Sequence, residues 1–214
     1  MPSPFDPRPA DAIVRCGRLL YDRRYLIAAE GNLSVRLADG SFLITPAGAC
    51  KGVLEASELV EMDLAGGLVG SSAGRPSSEW RMHAELYSLR PDVGAVCHAH
   101  PGAATAFACA HVEMPVPLLP EALLVLGDDV PLVPYCTPGT PDLAAALRER
   151  AGAAGALLLA NHGVVTVGED LDEAFRRMET VERLAEVALG AALLGGGVRL
   201  TRQQQDLVRK PRRS

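Results

Sequence analysis

Short apolar segments of alternating character constrain the fold of this chain more than any other feature of its sequence. Strand-like runs such as NLSVRL, SFLIT, SELVEMD and VVTVG alternate with segments of helical periodicity, and no hinge-like linker or internal repeat separates them. A chain of 214 residues is long enough to bury a substantial core. The pattern therefore predicts one α/β domain over residues 1–214, in which helices cover a mixed sheet.

Helical segments are indicated by the spacing of apolar residues. A first helix is predicted over residues 11–29, and a second over residues 77–89 with a serine cap after Pro76. Further helices are predicted for PGAATAFACA, with Pro101 at its first position, and for PDLAAALRERAG and DLDEAFRRMETVERLAEVALGAALLG. The leader, residues 1–10, and the basic tail, about residues 200–214, are expected to be flexible.

Charge and cysteine content exclude several classes of function. The net charge of −5 argues against binding to nucleic acids or anionic membranes, which requires a basic surface. Five scattered cysteines without a CxxC motif indicate neither a disulfide framework nor a thiolate metal site. No apolar run reaches the roughly 20 residues that span a bilayer, and the N-terminus lacks a signal peptide. A cytoplasmic protein without nucleic-acid or membrane partners is expected.

Histidines follow two apolar runs that are predicted to be strands. In AVCHAHPG, the alternation of a strand puts His98 and His100 on one face of the sheet. Such a pair alone is typical of surface histidines at a strand end. A third histidine, His162, directly follows the run ALLLA, so its side chain is expected at the mouth of the sheet. Three histidines without cysteine match a catalytic zinc site that keeps one coordination position open.

An acidic residue suited to proton transfer lies at a predicted helix start. In RPSSEW, Ser77 and Ser78 precede Glu79 where free backbone N–H groups and the helix dipole attract anions such as a phosphate. The alternative is an ordinary serine cap with an acid in the first turn.

Two polar turns and two further histidines complete the set of candidates. The turns EGNLS and TPAGACKG present Asn32 and Thr45 and are candidates for ligand contacts, although such turns are often only turns. His83 is expected to be a packed or surface histidine, and His111 receives no role.

Five short motifs together resemble one protein family. EGNLSVR, ITPAG, PSSEWRMH, HAHP and NHGVV occur in the order and at the intervals of the class II aldolase and adducin family. The resemblance covers about residues 12–194, and the PSSE motif is similar to that of the L-fuculose-phosphate aldolases in this family. It implies a single three-layer α/β domain with a mixed, largely antiparallel sheet, and a homotetramer with the active site at a subunit interface.

The resemblance also implies roles for individual residues. One Zn²⁺ per subunit would be bound by His98, His100 and His162, with Glu79 as the fourth ligand at rest. Glu79 would transfer the proton once substrate displaces it. The residues matching the family's phosphate-binding positions are Gly31, Asn32, Gly48, Ser77 and Ser78.

The implied activity is aldol cleavage of a ketose 1-phosphate, similar to L-fuculose 1-phosphate, to dihydroxyacetone phosphate and an aldehyde. Alternatives within the family are a 3-oxo-tetronate 4-phosphate decarboxylase, a methylthioribulose-1-phosphate dehydratase and a metal-free, adducin-like interaction module. The decarboxylases tend to have a lysine where this chain has Ser78, which favours the aldolase. Two departures leave the aldehyde open: Ala47 replaces a threonine, and Glu121 lies near the position of a tyrosine that the fuculose enzyme lends to its neighbour.

Overall fold

The central element is one sheet of seven strands in the part of the chain that this computed structural model describes, residues 8–70 and 74–210. The strands are β1 (Asn32–Arg36), β2 (Phe42–Ile44), β3 (Val60–Met62), β4 (Ala95–Ala99), β5 (Leu132–Val133), β6 (Ala156–Leu159) and β7 (Gly163–Gly168). They lie in the order β3, β2, β1, β4, β7, β6, β5. Only β5 and β6 are parallel, so the predicted mixed, largely antiparallel sheet is confirmed.

Helices cover both faces of the sheet. They are α1 (Pro9–Asp22), α2 (Trp80–Leu89), α3 (Gly102–Ala110), α4 (Pro120–Leu126), α5 (Pro141–Arg150), α6 (Leu171–Leu193) and α7 (Arg202–Arg209), with short 3₁₀ turns at 56–58 and 116–118. Apolar residues of α1, α3, α4 and α6 pack in the core on one face, and those of α2 and α5 pack in the core on the other. The three-layer architecture is therefore confirmed. None of the described helices is long and apolar enough to cross a membrane.

Strand β4 lies near the middle of the sheet and determines which side chains face α2. Ala95, Cys97 and Ala99 point into the core beneath α3 and α6, whereas Val96 belongs to the core beneath α2. By alternation, His98 shares the face of Val96. The register places Asn32 of β1 directly opposite His98, so both polar side chains stand side by side on the α2 face.

A tight hairpin joins β6 to β7 and carries His162. Leu159 pairs with Gly163, which leaves three residues for the turn. Asn161 takes up the left-handed conformation (φ 54°), and the His162 N–H donates to the Leu159 carbonyl at 3.0 Å. Because β7 also pairs with β4, the turn brings His162 to the same edge of the sheet as His98 and His100.

Two predicted helix boundaries are corrected by the structure. The first helix ends at Asp22 instead of extending to Ala29, because residues 23–31 turn back through left-handed conformations at Arg24 and Ala28. Helix α2 begins at Trp80 instead of Ser77, because Ser77 N–H donates to the Thr45 carbonyl at 3.1 Å and holds this segment along the sheet.

The two chain ends and one connection also differ from the sequence-based expectation. Residues 1–7 and 211–214 lie outside the described residues, whereas Pro9 and Ala10 already belong to α1. Within the tail that was expected to be flexible, residues 202–209 form α7, which begins with a capping box and packs on α4. Helix α4 was not predicted, and Pro101 lies at the N-cap of α3, one position before its first residue.

The N-terminus of α3 depends on a carboxylate from another helix. Glu182 of α6 is buried and accepts hydrogen bonds from the Ala103 and Ala104 N–H groups at 2.9 and 2.8 Å. Replacing Glu182 with alanine would leave the buried N–H of Ala104 and the partly buried N–H of Ala103 without their acceptor, and it would remove a charge that complements the helix dipole. We expect Glu182→Ala to lower the free energy of unfolding by about 2–4 kcal/mol in urea denaturation.

A matched control for this prediction lies one turn further along α6. Glu186 is exposed and makes only a surface ion pair with Arg183, at 3.3 Å. Glu186→Ala should change the free energy of unfolding by less than about 0.5 kcal/mol. Equal effects of the two substitutions would contradict the assigned role of Glu182.

Candidate metal and substrate site

Three imidazoles meet at one edge of the sheet. His98 belongs to β4, His100 follows two residues later, and His162 comes from the hairpin between β6 and β7. Their ring centroids are 4.7 to 5.0 Å apart, and one nitrogen from each lies within 4.8 Å of the others. The three histidines predicted from the sequence are therefore brought together.

The hydrogen bonds of His98 determine which of its nitrogens faces the cluster. Its Nδ1 lies 2.9 Å from the Val164 carbonyl oxygen, which can only accept, so Nδ1 carries the proton. The Nε2 atom then points to His100 Nε2 at 3.2 Å and to Glu79 Oε2 at 3.3 Å. The lone pairs of these two nitrogens and of the carboxylate oxygen converge on one point, where a cation, either a proton or a metal ion, stabilises them.

His100 and His162 are held as neutral imidazoles. Burial, followed by the nearby positive charge of His98, lowers the pKa of each to about 4. Gly163 has no side chain to obstruct them, since a Cβ at this position would lie 2.4 Å from the His100 ring. The Glu30 carboxylate lies 3.5 Å from His100 Nδ1, where it favours the tautomer that leaves Nε2 free to bind a metal.

Glu79 closes the fourth side of the cluster from the residue before α2. Its Oε2 accepts a 2.8 Å hydrogen bond from Asn32 Nδ2, and its Oε1 lies 3.6 Å from His162 Nε2. Burial opposes ionisation of Glu79, but the charge and hydrogen bond of His98 outweigh it, so its pKa is held well below the usual range. Within residues 8–70 and 74–210, Oε1 has no hydrogen-bond partner although it is buried.

A buried chain of hydrogen bonds orients Asn32. His83 donates from Nε2 to Asn32 Oδ1, which leaves the amide nitrogen of Asn32 to donate to Glu79. His83 Nδ1 in turn accepts from Ser34 Oγ at 2.6 Å, and Ser34 accepts from the Tyr87 hydroxyl at 2.7 Å. Burial lowers the pKa of His83 to about 3, so it remains neutral and keeps this direction of donation. His83 is therefore a packed histidine, as the sequence indicated, and it supports the site.

A cavity of about 180 Å³ opens beside this cluster. All five residues proposed for phosphate binding line this cavity: Gly31, Asn32, Gly48, Ser77 and Ser78. Two of the proposed metal ligands, Glu79 and His100, line it as well. Gly31 adopts a φ of 64°, and a Cβ there would lie 2.5 Å from the His98 carbonyl oxygen, so only glycine fits. Ser77 Oγ accepts from the Glu79 N–H at 3.3 Å, which leaves its own O–H free to donate into the cavity.

A buried lysine of this cavity was not predicted from the sequence. Lys51 is buried and lines the same cavity, and its Nζ donates to the Ala29 carbonyl at 2.8 Å. Burial lowers the pKa of its ammonium group to about 8. A signal existed, because lysine occurs at only two positions, 51 and 210, in a chain with 21 lysines and arginines.

Other candidates from the sequence lie outside the cavity. Glu121 is exposed on α4, and His111 Nε2 donates to Asn161 Oδ1 at 2.8 Å at the surface. Thr45 is buried, and its hydroxyl accepts from the Leu33 N–H at 3.3 Å, so it supports β1 and β2.

The donor set fits a divalent cation. Around one point lie two neutral imidazoles, a third imidazole whose Nε2 points inward, and a carboxylate oxygen that has no hydrogen-bond partner among the described residues. Zinc prefers such a set of nitrogen and oxygen donors in catalytic sites.

Comparisons with known proteins agree with this geometry. Residues 11–189 match the Class II Aldolase and Adducin N-terminal domain family. The 3-oxo-tetronate 4-phosphate decarboxylase of Haemophilus influenzae is 36% identical over 181 residues, 83% of this chain and 85% of that protein. The L-fuculose phosphate aldolase of Methanococcus vannielii is 34% identical over 174 residues, 81% of this chain and 92% of that protein.

Solved structures show the same fold. An L-fuculose 1-phosphate aldolase superposes with a TM-score of 0.87 at 32% identity and covers 95% of both chains. The l-fuculose-1-phosphate aldolase of Thermus thermophilus gives a TM-score of 0.78 at 32% identity, covering 91% of this chain and 100% of that one. From its sequence, its sheet and its cluster of histidines, this chain belongs to the class II aldolase and adducin family.

Proposed function

We propose that this protein is a zinc-dependent carbon–carbon lyase that cleaves a ketose 1-phosphate of the L-fuculose 1-phosphate type into dihydroxyacetone phosphate and an aldehyde. The observation that carries the proposal is the buried Glu79 carboxylate facing three imidazoles beside a cavity rich in hydrogen-bond donors. Aldolases among its relatives support the same reaction class.

In this proposal His98, His100, His162 and Glu79 hold the cation. Bound there, a zinc ion would act as a Lewis acid that stabilises negative charge on the ketone oxygen during cleavage. The glutamate would act as a ligand only in the absence of substrate, and its release from the cation would free it for proton transfer.

Glu79 is suited to the proton transfer that cleavage requires. In the cleavage, the hydroxyl of the departing half loses its proton and becomes the aldehyde, and the electron pair of the broken carbon–carbon bond passes to the ketone half. The former bonding carbon of the ketone half then gains a proton. Asn32 fixes Oε2 of Glu79 through its amide, while Oε1 has no partner in the described part of the chain and is available to carry that proton. Positioned acids and bases of this kind contribute about 10²–10⁴-fold in rate.

The substrate phosphate is proposed to occupy the cavity lined by Gly48, Ser77 and Ser78. The serine hydroxyls and the N-terminus of α2 offer donors to an anion there. Binding energy from this remote group would orient the reacting carbons beside Glu79.

A second candidate is decarboxylation of a 3-oxo-tetronate 4-phosphate. The decarboxylase of Haemophilus influenzae is 36% identical over 83% of this chain, slightly more than the 34% over 81% of the aldolase of Methanococcus vannielii. Both reactions leave an electron pair next to a ketone, so the same cation and Glu79 would serve either substrate. Ser78, at a position where the decarboxylases tend to have a lysine, favours the aldolase.

We also propose that the protein is a cytoplasmic homotetramer with its site at a subunit interface, as the family resemblance implies. No tyrosine lines the cavity within residues 8–70 and 74–210. The group that takes the hydroxyl proton of the aldehyde half during cleavage would therefore have to come from elsewhere, and Glu121 of a neighbouring subunit is a candidate.

Substitution of Glu79 tests the assigned chemistry. We expect Glu79→Gln to lower kcat for L-fuculose 1-phosphate cleavage by about 10²–10⁴-fold, because the amide cannot transfer the proton. Dihydroxyacetone phosphate release is measured with a coupled assay on metal-loaded protein. Glu85→Gln is the control and should retain full activity, because Glu85 lies outside the cavity, where it pairs with Arg148 of α5 at 2.7 Å. Carbon dioxide release from the 3-oxo acid, without aldol cleavage, would favour the second candidate.

Removal of one imidazole tests the metal site. We expect His100→Ala to lose bound zinc and activity while its circular dichroism spectrum stays unchanged, because His100 is only partly buried and packs at the edge of the sheet. The control is His111→Ala, which removes an exposed histidine outside the cluster. Metal content is measured by elemental analysis, and full zinc occupancy in His100→Ala would refute the assignment.

A further inference from the structure

Lys51 is a buried cation in a chain that otherwise uses arginine for its positive charges. Lys51 is only 2% exposed to solvent, and such complete burial is rare for lysine. The other lysine, Lys210, is exposed near the end of α7, and every remaining cationic side chain is an arginine. A buried lysine is costly to keep charged, so its presence requires a partner.

Lys51 makes one hydrogen bond to the part of the chain that the structure describes. Its Nζ donates to the Ala29 carbonyl at 2.8 Å. Across residues 8–70 and 74–210, no carboxylate oxygen lies within 4 Å of this nitrogen. An ammonium group has three N–H donors, so two of its donors remain without an acceptor in these residues. The negative charge of Glu79 acts on the ammonium group from more than 4 Å away and forms no ion pair with it.

The cavity beside the metal cluster is where such a partner fits. Lys51 lines it together with Gly48, Ser77 and Ser78, so a positive charge, two hydroxyls and the N-terminus of the ten-residue α2 surround one space of about 180 Å³. Ala47, which lines the same cavity, contributes only a methyl group. The anion contacts there therefore come from Lys51, the serines and the backbone.

We propose that Lys51 is a substrate-binding residue whose ammonium pairs with the phosphate monoester of the substrate in this cavity. The inference rests on the proposed function, since it assigns a further residue to the same phosphate. It goes beyond that proposal because neither the motifs nor the resemblance assigned any role to position 51.

The chemistry of lysine suits this position. An ammonium group is a compact charge on a flexible stem, whereas a guanidinium is a larger planar fork that this small cavity would have to accommodate. Burial lowers the pKa of the Lys51 ammonium group only to about 8, so the charged form predominates at neutral pH. A phosphate dianion bound beside it would stabilise the charged form further.

A structural role for Lys51 makes a different prediction. If its purpose were only to hold Ala29 and the segment before Gly31, loss of the ammonium would destabilise the protein and leave anion binding intact. If it binds substrate, removing an unpaired buried charge should leave stability unchanged or higher, because the desolvation penalty disappears.

Calorimetric titration with inorganic phosphate tests the proposal on the full-length protein, both metal-loaded and chelator-treated. We expect Lys51→Met to weaken phosphate binding about 10- to 100-fold in both forms, the effect of losing a charge-assisted hydrogen bond, with an unchanged or higher urea midpoint. Lys210→Met, the matched control, should bind phosphate like the wild type. Wild-type affinity in Lys51→Met, or no phosphate binding by the wild type, would overturn the proposal.

A second variant separates charge from the bond to Ala29. Lys51→Gln keeps an N–H donor but loses the charge, so we expect it to lose phosphate affinity as Lys51→Met does. Wild-type phosphate affinity in Lys51→Gln would show that the hydrogen bond to Ala29 matters and the charge does not. That result would refute the proposed pairing of the Lys51 ammonium with phosphate. Because the titration needs no turnover, failure to find lyase activity would contradict the proposed function alone and would leave the result on Lys51 standing.

Discussion

The buried carboxylate of Glu79, held among three imidazoles, is the interaction on which the rest of the site depends. A carboxylate that is removed from water needs a positive charge or several hydrogen-bond donors close by. The sheet provides His98 at the end of β4, and the hairpin after β6 provides His162 on the opposite side. Within the described residues, Asn32 and His98 bond Oε2 of Glu79, whereas Oε1 has no hydrogen-bond partner, so the geometry leaves Oε1 for a cation or a proton.

The register of the central strands explains why these groups meet. Asn32 is paired with His98 across β1 and β4, which sets the amide next to the imidazole on the face that α2 covers. His83, in the first turn of α2, donates a hydrogen bond from Nε2 to Oδ1 of Asn32. A slip of one residue between β1 and β4 would turn Asn32 to the other face of the sheet, and Glu79 would lose its donor. The fold and the site are thus specified by the same pairing.

Much of this could be predicted from the sequence, and the parts that could not share a physical cause. Strand alternation was enough to place His98 and His100 on one face, and a short turn after an apolar run was enough to propose His162. The roles of His83, Glu30 and Lys51 depend on burial and on contacts between segments far apart in the chain, which local patterns do not encode. The start of α2 was misjudged for the same reason, because Ser77 bonds to Thr45 across the sheet.

Charge balance links the proposed metal to the proposed substrate. A divalent cation bound by three neutral imidazoles, together with the ammonium of Lys51, would exceed the charge of Glu79 by two units. A phosphate monoester carries a charge of about −1.5 to −2 at neutral pH, so it matches this excess. Glu30 is half-exposed beside His100, where water screens its charge. An uncharged sugar would leave Lys51 unpaired in the cavity, and the site would therefore discriminate in favour of phosphorylated substrates through the desolvation of one lysine.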